Sequence, residues 1–188
     1  FVAFSIYAVC AFAARVNAPA DEATAETAIE TSQRQAAGHS VGDDGAVVLL
    51  DVAMAIDSAV VRRADESQPC VAQPDRHRHV CGREDWAFTG RYYAQFGGRA
   101  GRCLWLHPAS GGLVTKATWT DHAVGAQIRG EFGLVEGSGA GDAVAVEIWV
   151  GGERVGRVEA SDDLARHRFD FSVPPGMGRA DVEVRWSA

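Results

Sequence analysis

The residues with the most chemical potential lie in CVAQPDRHRHVC, where ten residues separate Cys70 from Cys81. Pro74-Asp75 marks a turn near the middle. Val71–Ala72 and His77–Val80 can then form the arms of a hairpin. A disulfide across such a hairpin is geometrically easy, and it belongs to an oxidising compartment. A metal site is the sharper alternative. His77, His79 and Cys81 alternate, so in a strand they share one face, and Cys70 supplies a fourth ligand. The spacing lacks the two close ligand pairs of a zinc knuckle, and Arg76 and Arg78 crowd a dication. The preferred reading is therefore a Cys70–Cys81 disulfide, with no metal and no cofactor. Cys103 lies in the apolar run CLWL and reads as a buried free thiol or as paired with a partner that the sequence does not identify.

Nucleophile and acid–base motifs are weak. Ser110 in PASGG lacks the G-x-S-x-G frame of a nucleophile elbow and reads as a Gly-rich turn after His107-Pro108. The acid pairs Asp162-Asp163 and Glu84-Asp85 are adjacent, so on a turn they point apart instead of converging on a bond. Asp142, Asp162 and Asp163 match no EF-hand loop. Gly137–Gly141 has no helix after it to cradle a phosphate. No catalytic residue is assigned. Aromatic side chains are the better lead. Trp149 is expected on the polar face of its strand beside Glu147, where it can stack a sugar ring. Trp119 and the pair Tyr92-Tyr93 are expected to extend that platform, although a Trp also commonly fills the edge of a core.

The elements that must position these residues are strands. Val124, Ala126, Ile128, Gly130, Phe132 and Leu134 alternate with polar or glycine positions, the period-two signature of a half-buried strand. Val144, Val146, Ile148 and Val150 repeat it. Gly151-Gly152 then predicts a tight hairpin into Glu153–Val158. His167, Phe169 and Phe171 form another strand, Pro174-Pro175-Gly176 breaks the chain, and Val182, Val184 and Trp186 close it. Arg102–Leu106 and Leu113–Trp119 are earlier strands. Short strands, Gly/Pro breaks and one polar face each predict an all-β, antiparallel β-sandwich. Ala46–Val61 is open between a strand and a short helix followed by a strand.

The N-terminal part differs in kind. Phe1–Ala14 has no charge, and Ser5 is its one polar residue. It is short for a membrane span of about 20 residues. Three readings stand: a signal-peptide core with Ala18-Pro19-Ala20 as its cleavage site, the end of a transmembrane helix, or a buried helix. Cys10 lacks the polar tether of a lipoprotein site. Residues 1–16 are thus expected as an apolar helix, 17–44 as a polar acidic linker, and 45–188 as the sandwich, with its core over 102–188. From Asn17 to Ser58 there are eight acids and one base, so much of the net charge of -7 sits there. The remainder is near neutral, and no nucleic-acid footprint is expected.

GRCLWLHPASGGLVTKATW, GAQIRGEFGLVEG, VAVEIWVGGERVGRVE and HRFDFSVPPGMGRADVEVRWS resemble jelly-roll, carbohydrate-binding-like modules of bacterial extracytoplasmic proteins. Some of these are appended to membrane glycosyltransferase-like proteins. The resemblance covers about Trp86 to Ala188, and its cues are GEFGL and IWVGGERVG. It implies an accessory, binding or structural domain, with Phe1–Ala14 as the stub of a membrane helix. No ligand residue is carried over from it. The function expected is a non-enzymatic extracytoplasmic module with a glycan or protein ligand, associated with a membrane through its N-terminal segment. Two alternatives remain: the accessory domain of a membrane glycosyltransferase, or a small hydrolase using His107.

Overall fold

Alternation along each strand dictates two faces, and burying the apolar ones requires two sheets. The computed structural model describes residues 9–17, 50–66, 68–83, 87–96, 99–109, 111–135, 143–160 and 167–188. Twelve strands occur among them: β1 (Val9–Asn17), β2 (Val60–Arg63), β3 (Val71–Gln73), β4 (Arg78–Val80), β5 (Phe88–Phe96), β6 (Arg99–Leu106), β7 (Thr115–Ala123), β8 (Gln127–Leu134), β9 (Val144–Val150), β10 (Glu153–Ala160), β11 (His167–Ser172) and β12 (Arg179–Ser187). A seven-stranded sheet has the order β11-β8-β1-β6-β5-β4-β3, and a five-stranded sheet has the order β10-β9-β12-β7-β2. Every pairing is antiparallel.

One core joins the sheets. Leu104, Leu106, Ile128 and Phe132 come from the seven-stranded sheet, and Val61, Trp119, Val146, Ile148, Val184 and Trp186 from the other. The expected hairpin is present. Gly151 and Gly152 both have positive φ, 57° and 85°, the conformation that a two-residue turn matched to strand twist requires. Glu153 then pairs with Val150. β10 bulges between Arg154 and Gly156. A Cβ on Gly156 would lie 2.2 Å from the Phe171 ring, so only glycine lets β10 cross β11 this closely.

The structure adds to the sequence reading at several places. Within the run expected as an apolar helix, Val9–Asn17 is a strand lying between β6 and β8. Short apolar runs carry no decisive period, and two neighbouring strand edges offer backbone partners that outweigh local preference. Residues 1–8 and the bulk of the expected linker lie outside the described residues. Phe88–Phe96 is a strand that the reading above did not assign. The open segment Ala46–Val61 resolves, over its described part, into turns, a short 3-10 helix at Ile56–Ser58 and β2. Of the two readings of Cys103, the paired one holds: it is disulfide-bonded. Among the described residues no helix is long and apolar enough to cross a membrane.

Residues 51–58 form a strap held by both sheets. The Asp51 carboxylate accepts the backbone N–H groups of Ala53 and Met54 at 3.0 and 3.1 Å. Arg91 donates to the carbonyls of Ala53 and Met54 at 3.3 and 2.8 Å. Trp119 Nε1 donates to Ala55 O at 2.9 Å. His79 Nε2 lies 3.0 Å from Ile56 O, so that nitrogen carries the proton. Irregular backbone over a core needs such side-chain partners, because its own groups form no ladder. Replacing either His79 by Leu or Arg91 by Met is expected to cost about 1 kcal/mol. Amide exchange should quicken over residues 53–56, and unchanged exchange there would show that the strap does not depend on these donors.

Candidate functional site

The Cys70–Cys81 hairpin forms as expected. Val71 pairs with Val80, which places Cys70 opposite Cys81 with Cα atoms 4.5 Å apart, and the two are disulfide-bonded. That spacing is the close, non-hydrogen-bonded kind of antiparallel pair, where side chains meet most easily. With both sulfurs joined, the metal reading loses two of its ligands. His77 sits at φ 50° just before β4, its Nδ1 2.6 Å from Asp57 Oδ2, while His79 faces the strap. No group of three or more metal-binding side chains occurs among the described residues.

The aromatic residues do not form one platform. Trp119 is 0% exposed, deep in the core. Trp149 lies on the outer face of the five-stranded sheet. Its ring is covered by the Arg185 guanidinium 3.8 Å away, and its Nε1 donates to Glu147 Oε2 at 3.1 Å. The ring face and the polar tip expected to meet a sugar already have partners. Tyr92 and Tyr93 are neighbours on a strand, so they point to opposite faces. Tyr92 pairs with Cys103 and Tyr93 with Arg102. Tyr93 is 70% exposed but stands apart from the other expected site residues.

Tyr92 does belong to an aromatic cluster, on the outer face of the seven-stranded sheet. Its ring lies 4.7 Å from Trp105 and 6.2 Å from Phe88, and Phe88 stacks on Trp105 at 5.8 Å and 16°. Arg78 places its guanidinium 5.1 Å from the Phe88 ring centre. Gly90 sits between Arg78 and Trp105 in register. A Cβ there would meet Arg78 Cβ at 2.5 Å and His77 O at 2.6 Å, so glycine is what allows β4 and β5 to approach. Tyr92 is 43% exposed. Trp105 is 9% exposed, and its buried Nε1 has no hydrogen-bond partner among the described residues. An unmade hydrogen bond at a buried donor is costly.

Sequence reading missed Phe88, Arg78 and Trp105. Only Trp105 left a signal: Cys103, Leu104, Trp105 and Leu106 are apolar at both parities, which marks a strand covered on both faces. His107 lies at the end of β6, and its carbonyl accepts Trp186 Nε1 at 3.0 Å. Ser110, Asp142 and the pairs Asp162-Asp163 and Glu84-Asp85 lie outside the described residues, as does Gly137–Gly141.

Electrostatics on the opposite sheet follow a simple rule. Burial works to raise the pKa of Glu183. Hydrogen bonds from Arg185 and Lys116, with their charges, outweigh it and leave the group below its ordinary value. Glu147 behaves alike, with Arg154, Trp149 and Arg157 overcoming burial. A carboxylate depressed in the folded state stabilises the fold above its unfolded pKa, and that contribution is lost as pH falls through the folded value. Stability should therefore fall as pH drops below about 4.3. Glu183→Gln should flatten that decline, and an identical acid limb in the variant would refute the linkage. Comparison of the chain with protein families, with curated proteins and with solved structures finds no match.

Proposed function

We propose that the chain is a non-enzymatic, extracytoplasmic module of jelly-roll type that binds a glycan through Tyr92 and the aromatic cluster beneath it. The observation that carries this reading is the Phe88–Tyr92–Trp105 cluster on an outer sheet face, with Tyr92 43% exposed above it. Aromatic rings pack against the C–H face of a pyranose, and the exposed Tyr92 ring offers such a surface. The Cys70–Cys81 disulfide supports the compartment, since such bonds persist mainly where the milieu is oxidising. Membrane association through the N-terminal segment belongs to the same proposal.

A glycan array probed with the intact chain tests it. Tyr92→Ala should weaken binding about tenfold, equivalent to about 1.4 kcal/mol, while Trp149→Ala should spare it. Trp105→Phe should keep or raise stability, because it removes a buried donor that has no partner among the described residues. Binding that survives Tyr92→Ala, or a wild-type chain that captures no glycan, would end this reading.

A further inference from the structure

The outer face of the five-stranded sheet carries an ordered row of charge. Strand register sets Arg62 opposite Lys116, Lys116 opposite Arg185, Arg185 opposite Glu147, and Glu147 opposite Arg157. The adjacent row reads Val60, Thr118, Glu183, Trp149 and Arg154. Directly opposed side chains on one face stand about 5 Å apart, and like charges there repel. Glu183 holds both Lys116 and Arg185, at 3.3 and 2.6 Å. Glu147 holds Arg154 and Arg157, at 2.8 and 3.8 Å, and Glu159 also takes Arg157 at 2.9 Å. Five cations thus face three carboxylates on this surface. Arg62 is exposed and has no carboxylate partner among the described residues. The chain as a whole is acidic, at -7, so this face is a local reversal of sign.

We infer that this face binds the carboxylates of an acidic polysaccharide, centred on Arg62 and Lys116 with Arg185 beside them. Charge complementarity selects an anion, because bringing one to the row relieves the repulsion between Arg62 and Lys116. The sheet spaces its cations about 4.8 Å apart across the strands, which suits charges borne singly on successive sugars. The Thr118 hydroxyl and the edge of Trp149 lie in the next row. The face is independent of the Tyr92 cluster, which lies on the other sheet.

Titration of the full chain with polygalacturonate, against uncharged dextran as control, tests the inference. Polygalacturonate should bind, more weakly as salt is raised, and dextran should not compete for this face. Arg62→Gln with Lys116→Gln should weaken polygalacturonate binding about tenfold. Arg62→Gln alone should weaken it less and melt no lower than wild type, since it removes a like-charge contact. The salt-sensitive part of polygalacturonate binding should fall in the double variant whether or not Tyr92 is replaced, which separates failure here from failure of the aromatic site. Polygalacturonate binding that does not weaken with salt, undiminished salt-sensitive binding by the double variant, or single-stranded DNA binding as tightly as polygalacturonate would each overturn the assignment.

Discussion

Trp119→Ala is expected to destabilise the fold by about 3–5 kcal/mol, the range for emptying a large aromatic site in a packed core. Trp119 is fully buried between the sheets, and its indole N–H is the contact from the five-stranded sheet to the strap, at Ala55 O. The variant loses dispersion contacts with both layers and leaves a void that flanking strands, tied by backbone ladders, cannot collapse to fill. The lost hydrogen bond adds little, because Ala55 O still accepts Ser58 N and Ser58 Oγ at 3.0 and 2.8 Å. For a chain of this size the change corresponds to a fall in Tm of roughly 10 °C. Trp149→Ala is the matched control. It forfeits a cation–π contact with Arg185 and half-exposed surface, costing about 1 kcal/mol or less. Denaturant melts of the two variants decide the matter. Similar losses for both would mean that Trp119 is not the packed centre of the sandwich.

Replacing Cys70 and Cys81 together by Ala is expected to cost about 2–3 kcal/mol in the loop-entropy account. The bond closes a loop of sequence separation 11, so its removal returns freedom mainly to the unfolded chain. The local structure explains why the loss is not recovered. β3 and β4 have three residues each, and β3 is the sheet edge. Short edge strands are held by few ladder bonds, and an isolated hairpin is marginal in water. Both cysteines are also buried with the main core, so Ala is a better replacement than Ser, which would bury a hydroxyl. Reductant alone does not isolate this bond, because Cys103 is disulfide-bonded too. Loss of stability below about 0.5 kcal/mol in the Ala pair would show that β4 is held by its pairing with β5 alone.

The comparison between sequence and structure turns on parity. Val144–Val150, Gly151-Gly152 and Glu153–Ala160 were legible because alternation and a two-glycine turn are both local. The Cys70–Cys81 bond was legible because a turn residue lay midway between the cysteines. The burial of Trp119 was legible as well, since it shares parity with Ala117 against Lys116 and Thr118. Grouping it with Trp149 by residue type set that parity aside.

Other features are properties of neighbours distant in sequence. Which strand lies beside which placed Val9–Asn17 between β6 and β8, and no local period announces that position. Cross-strand register brought Phe88, Tyr92 and Trp105 together on one sheet face, and it set Arg62 against Lys116 on the other. Trp149 was correctly expected to face outward, but the guanidinium that covers it comes from Arg185, thirty-six residues later in the chain. Sequence by itself determined the strands from β6 onward, their apolar faces, the tight turn and the stapled hairpin, because side-chain alternation and loop closure act over short separations. Only the tertiary structure decided which outward side chains meet, because that depends on strand order and register, set by the packing of the whole sandwich.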